Sequence, residues 1–157
     1  MCVNTSEQAA RWTARLETLW RDEIPLARAM EAAVERLDGE GLVATAPLSA
    51  NRNHMGTAFG GSLQALATLA GWAVTLVAAG EDSGCRVVVA QASTRFLAPL
   101  KGPLRARARW PAAEDAESFR RRLEARGRAR LTVEVRLGDG DRPAAEFTGD
   151  FVAMRRD

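Results

Sequence analysis

The sequence predicts an α+β fold in which a curved antiparallel sheet wraps around one long buried helix, and three observations lead there. Residues 60–79 contain no charged side chain and are apolar or small on every side, and a helix without a polar face has to be covered on nearly all sides. Two strand-like segments precede this stretch and four follow it, alternating apolar with polar residues or lying between glycine-bearing turns. Strands gathered around a single apolar helix make the sheet its cover. The chain has 157 residues, of which 46% are hydrophobic and 27% charged. That suits one packed core rather than two, so residues 1–157 are expected to form one domain.

The first helix lies within residues 1–24. Thr5 and Gln8 have the spacing of a capping box, and Trp12, Leu16, Leu19 and Trp20 then recur at helical intervals among arginines and glutamates. Pro25 closes it. Residues 32–37 and 42–46 flank Asp38-Gly39-Glu40-Gly41, the signature of a hairpin. Residues 51–60 read as a polar, glycine-bearing loop, and the central helix, residues 60–79, follows. Over 87–97 a strand is expected with Val88, Ala90, Ala92, Thr94 and Phe96 on one face and Gln91, Ser93 and Arg95 on the other, stopped by Pro99. Leu104, Ala106, Ala108 and Trp110 alternate with Arg105, Arg107 and Arg109, which describes a half-exposed strand. Phe119 and Leu123 mark the apolar side of a short surface helix over 114–126, ended by Gly127. Leu131, Val133, Val135 and Leu137 alternate with polar neighbours, and Gly138-Asp139-Gly140-Asp141 turns that strand into the last one, over 145–154.

Charge and composition exclude several classes of function. The 22 basic and 20 acidic residues nearly cancel to +2, which argues against a dedicated nucleic-acid binder. Cys2 and Cys85 fit no metal-ligand or redox spacing, and the start of the sequence has no basic segment followed by an apolar run. Free thiols in a reducing cytoplasm are the expectation. The apolar stretch 63–79 is interrupted by Gln64, Thr68, Gly71 and Thr75, which suits a core helix better than a membrane span.

The most informative segment is Asn51-Arg52-Asn53-His54-Met55-Gly56-Thr57-Ala58-Phe59-Gly60-Gly61-Ser62-Leu63. Its last two glycines open the buried helix, where backbone N–H groups have no intrahelical partner and the positive end of the helix dipole points into the loop. A thioester carbonyl placed there meets donors ready for the oxyanion formed when water attacks. The pair equally serves tight packing of helix against strand, and both readings stand at this point.

This segment, the apolar helix after it, and Arg95-Phe96-Leu97-Ala98-Pro99 ahead of Gly102-Pro103-Leu104 together resemble the hot-dog thioesterases. The closest likeness is to the thioesterase family typified by the YiiD C-terminal domain, whose Asn-x-Asn loop and Thr-Ala-Phe-Gly-Gly-Ser-Leu helix start correspond to Asn51, Asn53 and residues 57–63. The resemblance extends over about residues 24–155. It implies a hot-dog subunit that pairs with a second across the long strand, as a homodimer or dimer of dimers, with active sites at the interface. It further implies that Gly60, with Gly61, supplies the oxyanion donors, that Phe59 stands where the superfamily motif has histidine, and that Asn53 positions water or the thioester. Related enzymes carry Asp or Glu eight positions after the first motif glycine; this chain has Thr68 there and no carboxylate between residues 60 and 79. Thr68 can orient water without taking its proton, although a helical Thr also commonly returns its hydroxyl to the carbonyl one turn earlier.

His54, the only histidine, is a candidate base beside Asn53 or an ordinary surface residue. Phe59, Ser62, Gln64, Gln91 and Arg95 are expected to line the substrate. The dense run of Arg120, Arg121, Arg122, Arg126, Arg128 and Arg130 is either a solvated face or a dock for coenzyme A phosphates or an acidic acyl carrier protein. The combined expectation is hydrolysis of an acyl-CoA or acyl-carrier-protein thioester with an aliphatic or aromatic acyl group, with no metal or redox cofactor. A non-hydrolytic acyl-thioester binding module and a hot-dog dehydratase are the alternatives, the second disfavoured because His54 has no acid beside it in sequence.

Overall fold

A computed structural model of the chain describes residues 3 and 5–155; the expected Cys2 thiol lies outside them. Helix α1 (Ser6–Glu23) starts where the capping spacing places it, with the Gln8 amide donating to Thr5 Oγ1 at 3.1 Å. Its apolar stripe of Trp12, Leu16 and Trp20 is buried. Pro25 then begins a second helix, α2 (Pro25–Ala29), at the position where a missing N–H costs nothing. Five residues carry no readable periodicity, and the residue pattern held no sign of it. The hairpin follows as β1 (Ala33–Leu37) and β2 (Gly41–Ala46), its turn held by the Glu40 amide donating to the Asp38 carboxylate at 2.9 Å.

A single helical turn, α3 (Leu48–Asn51), occupies the front of the expected loop, and the central helix α4 (Gly60–Ala79) has the predicted limits. After it come β3 (Cys85–Phe96), β4 (Leu104–Arg109), helix α5 (Ala113–Arg126), β5 (Arg128–Leu137) and β6 (Ala145–Arg155). The six strands form one antiparallel sheet in the order β1-β2-β4-β5-β6-β3. It curves around α4, which packs against five of the strands, while α1 covers β1. Although α4 is long and apolar enough to cross a membrane, it is the core helix of this fold.

The tightest approach of α4 to the sheet is at Gly71. A Cβ there would stand 2.5 Å from the Phe151 ring, which is fully buried and is confined from the other side by Gly149, whose own Cβ would lie 2.8 Å away. One bulky ring thus fills the space that two glycines leave.

Two expectations need correction. The strand over 87–97 does not keep one apolar face, because the pairing with β6 slips between Val89 and Gln91 and leaves Ala90 as an extra residue. Before the bulge Val87 points inward and Val88 is 46% exposed; after it Thr94 and Phe96 turn toward α4. Nor is α4 fully enclosed. Gly61, Gln64, Ala65, Thr68 and Trp72 recur at helical spacing as a stripe that stays partly open beside β3.

Gly71→Ala tests the close approach. Alanine gains about 1 kcal/mol in helix propensity but overpacks a confined ring at a cost of roughly 1–3 kcal/mol. The expected outcome is a net loss of about 1 kcal/mol, read as a lower denaturation midpoint with an unchanged denaturant slope.

Candidate active site

The loop before α4 is braced from within. Asn53 Oδ1 accepts from the amides of Met55 (2.9 Å) and Thr57 (3.2 Å), its Nδ2 donates to Thr57 Oγ1 (2.9 Å), and its backbone N–H donates to the Thr57 carbonyl (2.7 Å). Gly56 supports the turn at φ 79°, in the left-handed region. Asn51 anchors the loop to the body: its buried Nδ2 donates to the carbonyls of Met30 (2.9 Å) and Pro47 (2.8 Å), and its own carbonyl accepts from Phe59 N–H (2.8 Å). The anchoring task of Asn51 was not visible in the sequence, because its partners are backbone carbonyls, one of them 21 residues away at Met30.

These ties fix where the helix begins. The Ser62 and Leu63 amides return to the Phe59 carbonyl at 3.0 and 3.1 Å, whereas the amides of Gly60 and Gly61 meet no acceptor among the described residues. Neither glycine is buried; Gly61 is exposed. Two aromatic rings flank them. Phe59 is 55% exposed and its ring lies 2.5 Å from where a Gly61 Cβ would be, while Phe96, 57% exposed, sits 3.4 Å from the corresponding point of Gly60. The rings border the helix tip and leave it accessible.

A cavity of about 420 Å³ opens at this tip, lined by Asn53, Thr57, Gly60, Leu63, Phe96 and Leu100 among others. A second cavity of about 420 Å³ lies farther along the open stripe of α4, with Ile24, Ala65, Thr68, Trp72, Val89 and Phe151 in its wall. No charged residue lines either one. Trp72 is held by its indole N–H donating to the Val87 carbonyl at 2.9 Å, and Gln64 Oε1 accepts from the Thr94 hydroxyl.

Within one subunit the expected site residues are therefore divided. Gly60, Gly61, Phe59 and Asn53 gather at the helix tip, with Ser62 half-buried behind them. Thr68 is eight residues on, about 12 Å along the axis, and its hydroxyl donates to the Gln64 carbonyl at 2.8 Å. That commits the proton while leaving the oxygen's lone pairs open to the second cavity. His54 is exposed on the loop with no polar partner among the described residues. Gln91 and Arg95 stand on the face of β3 that points away from α4, Arg95 in an ion pair with Glu146 at 3.8 Å.

Comparison with known proteins bears on the fold and the family. A family model described as "Putative thioesterase (yiiD_Cterm)" matches residues 13–155. Among solved structures, a Chlorobaculum tepidum protein of unknown function is 28% identical, covering 94% of this chain and 97% of its own, with a TM-score of 0.90. A Shewanella oneidensis protein described as a "putative thioesterase" is 29% identical, covering 92% of this chain and 99% of its own, with a TM-score of 0.78. With its antiparallel sheet curved around a long central helix, the chain is a hot-dog protein and belongs to the thioesterase family named for the YiiD C-terminal domain.

Proposed function

We propose that the protein is an acyl-thioester hydrolase that works as a homodimer in the cytoplasm. The observation that carries this reading is the pair of adjacent amides at Gly60 and Gly61, without an acceptor among the described residues, at the positive end of α4 where Gly60 lines an uncharged cavity. Water attacks the thioester carbonyl carbon, the carbonyl oxygen becomes an oxyanion held by the two amides, and collapse breaks the C–S bond to release acid and thiol. The apolar wall formed by Ala65, Leu69, Trp72 and Val89 suits an uncharged aliphatic or aromatic acyl group. The thiol half is coenzyme A or a carrier protein.

Pairing is argued from β3. It has one strand neighbour, runs for 12 residues, and is exposed on both faces with Val88, Val89 and Phe96 among its open positions. An edge of that length and character invites a second strand. Two copies joined there by a two-fold axis run antiparallel, so the tip of one α4 comes alongside the middle of the other. Thr68 of one subunit then serves the Gly60 cavity of its partner, which reunites the two halves that a single chain keeps apart. Val89→Lys places like charges on the seam. It is expected to convert the dimer to a monomer in light scattering and to abolish turnover, with the circular dichroism spectrum retained.

Removing a donor tests the oxyanion assignment directly. Gly60 is the first helical residue and Phe59 before it lies at φ −70° and ψ 132°, a conformation compatible with a following proline. Gly60→Pro therefore deletes one amide hydrogen without opposing the helix. We expect kcat to fall by about 10²–10³-fold with stability unchanged or raised; a full-rate variant sinks the assignment.

Proton transfer distinguishes the remaining side chains. Thr68→Ala, by removing a water acceptor, is expected to lower kcat by about tenfold without altering its pH profile. His54→Ala is expected to lower kcat in the thiol-release assay, and an unchanged kcat removes His54 as the proton acceptor. A second reading, a non-hydrolytic acyl-thioester binding module, is favoured by the absence of a carboxylate from both cavity walls. Thiol release from a panel of acyl-CoA thioesters separates the two: binding without release selects the module.

A further inference from the structure

On the outer face of the sheet most arginines are answered by acids. Arg105 meets Glu35 at 2.8 Å and Asp139 at 3.3 Å, Arg107 meets Asp139 at 2.8 Å, and Arg95 and Arg136 share Glu146 at 3.8 Å. Apart from Arg109 on β4, the arginines of this face without an acid among the described residues gather in one region. Arg122 and Arg126, four apart on α5, and Arg128 and Arg130, two apart on the outward side of β5, line a single cleft of about 420 Å³. Of the four, only Arg130 has an acidic partner among the described residues, Asp150 at 3.3 Å. Beneath the guanidinium groups the backbone is closed by buried residues: Val152, on the outer face of β6, is 3% exposed, and Ala129, turned to the core side of β5, is 5% exposed.

Position ties this cleft to the proposed site. Arg128 pairs across β6 with Met154, and Met154 pairs with Arg86 at the beginning of β3. Arg86 is exposed and also without an acidic partner among the described residues, so the basic region reaches the edge strand at its Cys85 end. Antiparallel pairing through β3 sets that end beside the Phe96 end of the second copy, where the partner's helix tip opens. Two strand spacings, about 10 Å, separate β5 from the edge strand β3. A ligand leaving the partner's tip passes over the rim of the sheet to arrive there.

We infer that this cleft binds the phosphate-bearing nucleotide end of coenzyme A while the thioester lies at the helix tip of the other subunit. The inference rests on the thioesterase reading and selects coenzyme A as the thiol. Guanidinium groups recognise phosphate oxygens by paired, charge-assisted hydrogen bonds. A compact concave cleft fits a nucleotide better than the broad surface of a carrier protein.

The test compares wild type with Arg122→Ala/Arg128→Ala on two substrates carrying the same acyl group, its coenzyme A thioester and its N-acetylcysteamine thioester, which lacks phosphates. The double variant is expected to raise KM for the coenzyme A thioester by about tenfold or more, with kcat held and the truncated substrate unaffected. The difference should shrink in high salt. Adenosine 3′,5′-bisphosphate alone should bind wild type by calorimetry and bind the variant at least about tenfold more weakly. Equal effects on both substrates or no effect on either overturns the inference. If neither thioester is cleaved by wild type while the bisphosphate still binds at these arginines, the hydrolase reading fails and the cleft stands. Cleavage of both substrates without bisphosphate binding overturns the cleft and leaves the hydrolase reading standing.

Discussion

An uncharged helix has to be buried, and the rest of this structure follows from how that burial is achieved. Residues 60–79 offer no polar face, so the sheet curves until five strands touch α4. Contact that close needs relief in side-chain volume, which Gly71 and Gly149 provide around the Phe151 ring. Burial also makes the start of the helix critical. A donor shut away from water without a partner costs about 1–3 kcal/mol, and four amides at a helix start lack intrahelical acceptors. Two of these donors find the Phe59 carbonyl. The Gly60 and Gly61 amides meet no acceptor among the described residues and are not buried, and in the proposed reaction they would receive the developing oxyanion. Glycine matters at these positions because bare backbone leaves the space a ligand needs.

The same constraint explains why the site is divided. Wrapping a helix with a six-stranded sheet leaves β1 and β3 as edges, and α1 packs against β1. Among the described residues nothing covers β3, whose exposed apolar residues adjoin the one stripe of α4 that the sheet does not close. The open stripe and the open edge are a single gap in the subunit's surface. In the proposed dimer a second copy would close both at once, its reversed helix bringing the middle of α4 to a tip that has none of its own nearby. Catalytic assembly and burial of the edge are, on this view, one event.

Legibility in the sequence followed the strength of periodicity. The central helix was readable to its end residues, because its lack of charge has no other explanation, and β5 was readable because every second residue is buried. The bulge at Ala90 was hidden, since Val87, Val88, Val89 and Ala90 are apolar in both parities and no face declares itself. Helices α2 and α3 are too short to show a period. At the site, the glycine pair and the loop asparagines could be read from their motif, but the spacing did not say that Asn53 would use its oxygen within the loop or that Thr68 would direct its proton to Gln64. The arginine run was visible as charge. Which of those charges meets an acid depends on Asp150, which strand pairing alone brings near Arg130.

The absent helix carboxylate bears on mechanism in a way magnitudes can decide. A positioned general base contributes about 10²–10⁴-fold to such a reaction, and one oxyanion donor contributes about 10²–10³-fold. Two backbone donors thus account for as much acceleration as the missing acid, and they remain in place here. Water held by the Thr68 oxygen and unable to lose its proton to a carboxylate would still attack a carbonyl whose developing charge is stabilised in this way. A chain with Thr68 in that position is therefore expected to be a slower hydrolase with its rate tied to the helix tip, and loss of a backbone donor should cost it more than loss of any single side chain.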